Sequence, residues 1–187
     1  MRIVGGRHKG RALVAPLGRK TRPTSDRVRE SIFNILGHGI NNFDLSEISV
    51  VDVFAGTGAL GFEALSRGAK HATFIDNSRR ALDTVMKNSL ALDEWKSTTL
   101  LKLDATHFSP PPRVAKAPCG LAFLDAPYDK ELSLPALLGI VNKGWVKSGA
   151  IVIVEMATKE VISMPRQYEY LDERNYGAVR VLTLKVC

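Results

Sequence analysis

Apolar residues in this chain recur with two periods, and from about Val50 onward the two alternate. Val50 to Phe54, Ala72 to Ile75, Thr98 to Leu103, Gly120 to Leu124 and Ala150 to Val154 are short β-type runs of the kind buried in a parallel sheet. The stretches between them are spaced for one face of a helix. Ala59 to Arg67 is closed by Gly68. Ser78 caps a segment running to about Leu92, with Ala81, Leu82, Val85 and Met86 facing inward, and Leu134, Leu137, Leu138 and Val141 form a third stripe. Repeated strand–helix units predict an α/β fold with a mostly parallel sheet. The alternation stops near the end. Gln167 to Arg174 and Val179 to Val186 flank the turn Asn175-Tyr176-Gly177-Ala178, which predicts a C-terminal antiparallel hairpin completing a seven-stranded sheet.

The first forty residues follow another pattern. Arg2 to Val4 and Ala12 to Val14 bracket the basic, glycine-rich stretch Gly5 to Arg11, which predicts a hairpin. Pro16 to Pro23 is a connector. Thr24-Ser25 can cap a helix from about Asp26 to Leu36, with Val28, Ile32, Ile35 and Leu36 on one stripe and Arg27 and Arg29 off it. Residues 1–40 are therefore expected as a small basic β-hairpin/helix extension and 41–187 as the main domain.

Composition sharpens that division. At 45% apolar and 24% charged the chain is an ordinary globular protein. Its net charge of +7 resides in residues 1–30, where nine Lys and Arg face only Asp26 and Glu30. A neutral domain with a basic arm is a footprint for a polyanion. A solubilising tail would explain the charge too, but not the β-type residues, glycine turns and amphipathic helix mixed into it. Glycine plus charge at the hairpin tip suits phosphate contact, and Arg7, Lys9, Arg11, Arg22, Arg27 and Arg29 are the arm's candidate polyanion-binding residues. Cys119 and Cys187 have no metal-type spacing and make a disulfide framework improbable, so a reducing compartment, the cytoplasm, is expected. His8, His38, His71 and His107 show no ligand spacing, so no metal is expected. No run approaches the length of a membrane span. Trp95 and Trp145 read as packing residues.

Candidate chemistry centres on Asp52-Val53-Phe54-Ala55-Gly56-Thr57-Gly58-Ala59-Leu60-Gly61, a strand, a glycine turn and a helix start. The spacing fits G-x-G-x-x-G, which alone is also compatible with a nicotinamide cofactor. Acids stand at or near the ends of four successive strands: Asp52, Asp76, Asp104 and Asp125. Ligands bind outside the carboxyl ends of parallel strands, so the four should converge on one edge. Any one could be a turn cap, but the set beside a glycine loop points to a ligand site. Asp76 can accept from ribose hydroxyls in either kind of site. Asp52 ahead of the glycines, and several carboxylates together, suit a cationic ligand better than a pyrophosphate. S-adenosylmethionine carries a sulfonium and an ammonium and has no phosphate.

The glycine stretch followed by Asp125-Ala126-Pro127-Tyr128 resembles the class I S-adenosylmethionine-dependent methyltransferases that act on exocyclic amines. Arg22 to Glu30, Phe33-Asn34, Ala59 to Ala69 and Tyr176-Gly177 are similar to the signature of the bacterial small-subunit 16S ribosomal RNA guanine methyltransferases. The resemblance covers nearly the whole chain. It implies a Rossmann-like domain and, as partners, ribosomal RNA and the assembling small subunit; nothing in the sequence suggests an obligate dimer, so a monomer is expected. Ala55, Gly56 and Gly58 would cradle the methionine part of the donor, with Asp52 near its ammonium. Asp76 and Asn77 would lie at the ribose, and Asp104 and Ala105 at the adenine. Asp125, Ala126, Pro127 and Tyr128 would form the catalytic loop. Ala126 stands where the family usually has proline, yet it supplies the same carbonyl. Two acceptors on the amine hydrogens, Asp125 and the Ala126 carbonyl, would localise the nitrogen lone pair for in-line attack on the sulfonium methyl, with Tyr128 stacking on the extruded base. From the residues alone, a nicotinamide-dependent oxidoreductase and a non-catalytic RNA-binding protein remain the alternatives.

Overall fold

In the computed structural model, which describes residues 1–15, 25–40, 43–127 and 131–187, seven strands form one sheet in the order β3-β2-β1-β4-β5-β7-β6. The strands are β1 (Ser49–Val53), β2 (His71–Asp76), β3 (Thr98–Lys102), β4 (Cys119–Asp125), β5 (Val146–Ala157), β6 (Tyr168–Tyr176) and β7 (Val179–Val186). The first five run parallel and β7 pairs antiparallel with β5 and β6, the expected C-terminal hairpin. Strand order reverses between β1 and β4, the switch point where such sheets open a crevice.

Among the described residues four α-helices flank the sheet: α1 (Asp26–Asn34), α2 (Ala59–Ser66), α3 (Arg79–Ala91) and α4 (Ser133–Asn142). Ser25 caps α1 by accepting from the Val28 N–H, and Ser78 caps α3 by accepting from Ala81. A π-helical turn, Ile35–Gly39, ends the first helical stretch. On one face of the sheet Val50, Phe74, Leu121, Phe123, Ile151 and Ile153 meet Ile32 and Phe33 of α1, Phe62 and Leu65 of α2, and Val85 of α3. On the other, Val51, Val53, Ala122, Leu124 and Val152 meet Ala136, Leu137 and Ile140 of α4 and Trp145. Each buried Phe or Leu contributes roughly 1.5–3 kcal/mol. Among the described residues no helix is long and apolar enough to cross a membrane.

The N-terminal arm is built into this core. Ile3 and Leu13 join the layer of α1 and α2, so the two expected units share one interior. The predicted hairpin shrinks to a single bridge, Arg2 with Ala12, flanked by hydrogen bonds from Ile3 to Arg11 and from Leu13 to Met1. Its tip folds onto the end of α2. Arg7 N–H donates to the Ser66 carbonyl, His8 N–H donates to the Ser66 hydroxyl, and that hydroxyl donates to the Gly5 carbonyl. Gly6 has φ +72°, and a Cβ there would lie 2.0 Å from the Ser66 carbonyl oxygen. The glycines at the tip thus serve contact with the protein's own backbone. With the sheet on one side and the arm on the other, all eight residues of α2 are buried.

Three packing expectations shift. Met86 is 44% exposed, and α3 instead turns Asn88 and Ser89 inward, where the arm and the helix backbone supply polar partners. In α4 Leu137 is buried as expected, but Ser133, Ala136 and Ile140 complete the inner face, the small residues among them letting the helix approach the sheet. Trp145 is fully buried and donates to the Ser109 carbonyl, whereas Trp95 is half exposed beside Lys96.

Candidate active site

Register places the strand-end acids. Val53 of β1 pairs with Ile75 of β2 and Leu124 of β4, so Asp76 and Asp125, each one residue further, stand level at the carboxyl edge. Glu155 of β5 pairs with Asp125. By the alternation of strand side chains, Asp76, Asp125 and Glu155 share the face of Phe74, Phe123 and Ile153. Phe54 would stand between Asp76 and Asp125 if β1 continued. Its φ of +64° breaks the strand, and its side chain packs with the opposite layer. This outlier leaves the centre of the row to the turn that follows.

That turn is tight. Ala55 N–H donates to the Ile75 carbonyl and Gly58 N–H to Ala55 at 2.6 Å. Gly56 and Gly58 both have positive φ, and a Cβ on Gly58 would meet the Phe62 ring at 2.7 Å. Asp76 fastens the loop from β2: one oxygen accepts from Gly56 N–H at 3.1 Å and the other from Ser78 N–H at 2.8 Å. Two hydrogen bonds leave its carboxylate with acceptor capacity. Asp52 lies one pleat deeper, level with Phe74 and Phe123. It is buried and accepts from Gly61 N–H in the first turn of α2 at 2.9 Å. Burial pushes its pKa up to about 8, against the pull of the Gly61 N–H and with added repulsion from Asp76.

Asp104 follows β3 on the surface. It accepts from the Thr106 N–H and hydroxyl, which together with His107 hold its pKa below the usual carboxylate value. Ala105 is buried and Asn77 exposed. Asp125 is half-buried at the end of β4, Ala126 buried and Pro127 exposed. Tyr128 lies outside the described residues, as does Arg22.

The candidate RNA contacts divide. Lys9 and Arg27 are exposed. Arg7 donates to buried Glu94 through Nε and Nη2, at 2.9 and 2.5 Å, with His8 on the same oxygen, yet its side chain stays 52% exposed. Arg11 is exposed and donates to the Ala91 carbonyl at the end of α3. Arg29 corrects the expectation: it is fully buried, with Nη2 bonded to the Arg2 carbonyl and to Asp26 at 2.7 Å. It falls off the apolar stripe because it faces the arm. Among the described residues no cluster of His, Cys, Asp and Glu could hold a metal ion.

Two residues lie outside the site set expected from the sequence. Glu155 carries the same strand-end signal as the other acids and is buried beside Asp125. Asn88 has only a faint one, a poor helix former in the interior of α3.

The family model described as "Conserved hypothetical protein 95" matches residues 1–185. The chain belongs to this family. It is 42% identical to YlbH of Bacillus subtilis (strain 168) over 76% of this chain and 74% of the relative. It is 32% identical to Ribosomal RNA small subunit methyltransferase D of Escherichia coli (strain K12), over 96% of this chain and 86% of that protein. The solved structure of yhhF from Escherichia coli matches with a TM-score of 0.82 at 29% identity, covering all of this chain and 97% of that one. The seven-stranded Rossmann-like architecture of this family's methyltransferases is the fold described above.

Proposed function

We propose that the protein transfers a methyl group from S-adenosylmethionine to the exocyclic 2-amino group of a guanine in small-subunit ribosomal RNA. The observation that carries the reading is the level placement of Asp76 and Asp125 on either side of the glycine turn. A donor held at Asp76 would present its reactive end towards Asp125, one strand away. A relative named for small-subunit ribosomal RNA methylation matches over nearly the full chain.

The residues suit this donor. The turn between Phe54 and Gly58 offers backbone polar groups with little side-chain bulk. Asp76 keeps acceptor capacity for two hydroxyls. Asp52, buried and accepting from Gly61 N–H at the start of α2, would lie near the donor's ammonium. The donor supplies a sulfonium-activated methyl. The chain supplies acceptors: the Asp125 carboxylate and the Ala126 carbonyl take the two amine hydrogens, localise the nitrogen lone pair and hold it in line. Tyr128 stacks on the extruded base. Lys9, Arg27 and the partly exposed Arg7 and Arg11 face the RNA backbone. The protein acts in the cytoplasm as a monomer on the assembling subunit.

Mass spectrometry of small-subunit ribosomal RNA from cells with and without the gene tests the reading. One guanine should carry a methyl on its 2-amino group only when the protein is present. Identical methylation in both samples would overturn it.

A further inference from the structure

Asn88 is 1% exposed in the interior of α3 and uses its carboxamide on two segments that are remote in sequence. Its Oδ1 accepts from the Val14 N–H at 2.8 Å, and its Nδ2 donates to the Val14 carbonyl at 3.1 Å. The second Nδ2 hydrogen goes to the Thr57 carbonyl at 3.0 Å, between Gly56 and Gly58. The amide therefore clamps the arm backbone as a strand neighbour would, and ties that clamp to the glycine turn. The arm touches the turn a second time, where the Thr57 hydroxyl lies 3.4 Å from the Met1 sulfur. Met1 is joined to Leu13 by a backbone hydrogen bond, so both contacts come from one small unit of the arm.

We propose that Asn88 is a positioning residue that couples the two substrates: the arm's grip on RNA and the donor's fit in the glycine turn are energetically linked through its carboxamide. The inference rests on the proposed function, in which the turn holds the donor and the arm meets RNA. Val14 belongs to the same arm as Arg7, Lys9 and Arg11, whose backbone bridges Arg2 with Ala12. Force on the arm reaches Val14 through its backbone. A shift of Val14 moves both halves of the clamp, and the remaining amide hydrogen transmits it to Thr57. Gly56 and Gly58 let the turn respond, because neither carries a side chain to hold it. Coupling of this kind is reciprocal: the factor by which the donor tightens RNA must equal the factor by which RNA tightens the donor. Asn88 touches neither ligand in this scheme and acts only through Thr57 and Val14.

The test measures RNA affinity, with a labelled small-subunit ribosomal RNA transcript, in the absence and presence of saturating S-adenosylhomocysteine, which cannot react. Wild type should bind the transcript about 5-fold or more tightly with the nucleoside present. Asn88→Ala should bring that ratio close to one. Val14→Pro, which removes the arm's N–H and leaves the turn untouched, should lower the ratio while S-adenosylhomocysteine affinity in the absence of RNA stays within about twofold of wild type. Native hydrogen exchange gives a readout that needs no variant: the Val14 amide should exchange more slowly when S-adenosylhomocysteine is bound. A purely structural Asn88 would lower stability and leave the ratio intact, which overturns the coupling. Two ligands that bind wild type independently, with Val14 exchange unchanged, also overturn it while leaving the methyltransferase reading standing. Failure of wild type to bind either ligand would instead remove the functional reading, and the coupling with it.

Discussion

The carboxyl edge of the sheet and the N-terminal arm are both rich in charge and glycine, but they use them in opposite directions. At the edge the strand-end acids take hydrogen bonds from local backbone and remain directed at the crevice, as Asp76 does with Gly56 and Ser78. In the arm much of the charge is turned inward. Arg29 is fully buried, Arg7 clasps Glu94, and Gly6 presses on Ser66. The difference lies in where the partners sit in the chain. Strand-end acids find theirs within a few residues or in the next strand. The arm's partners, Glu63 for Val4 and Glu94 for Arg7, come from segments that no local count of charge includes. A basic stretch is thus partly a docking surface for its own domain, and only the remainder is free for a polyanion.

The contrast breaks most sharply at Asp125. Asp125→Ala should lower methyl transfer by about 100-fold or more, with S-adenosylmethionine affinity by calorimetry within about twofold of wild type. Wild-type turnover in that variant would take Asp125 out of the chemistry. The arm should answer in stability instead. Gly6→Ala forces a Cβ against the Ser66 carbonyl, and Arg29→Ala leaves the Arg2 carbonyl short of a donor; each should cost roughly 2–4 kcal/mol by urea denaturation. A loss below about 0.5 kcal/mol for Arg29→Ala would return that residue to the surface.

Asp52 gives a pH-dependent effect with a definite sign. Its native pKa, about 8, lies above its unfolded value, so the native state binds the extra proton between roughly pH 4 and pH 8. Its favourable share of stability is complete below the unfolded pKa and is lost as pH rises through the native one. Asp52→Asn should remove that loss, giving a stability advantage over wild type that is greatest at and above about pH 8 and closes towards pH 4. Parallel stability–pH curves for the two proteins would contradict the assignment. Lys9→Ala and Arg27→Ala should have the least effect on the fold, under about 0.5 kcal/mol each. Each should reduce the dependence of log RNA affinity on log salt by about 0.7–0.9. An unchanged slope would make these exposed cations bystanders.

The parallel sheet and its edge were legible because their information is local. Val50 to Phe54, the glycines and the strand-end acids each state a backbone geometry within ten residues, and the register then aligns them. Helix faces were less legible. Ala81, Leu82 and Val85 turn inward as expected, but Asn88 replaces Met86 in the interior because Val14 and Thr57 satisfy its amide. Trp95 sits outside where its size alone suggested packing. Arg29 could not be placed from the pattern, since an arginine off the apolar stripe faces water unless a second layer covers it. Glu155 was visible as one more strand-end acid, but its pairing with Asp125 depends on the neighbour order of strands, which the sequence does not spell out.

The burial of every residue in α2 has a consequence for how variation is tolerated. A helix lying on a sheet normally accepts polar substitutions along its outer side, so a scan through it rises and falls every three to four positions. Here the arm replaces the solvent, and Glu63 on the far side is as enclosed as Phe62 on the near one. A saturation scan of Ala59 to Ser66 should show a flat band of intolerance, while the same scan through α3 keeps its periodic relief at positions such as Asp83 and Lys87.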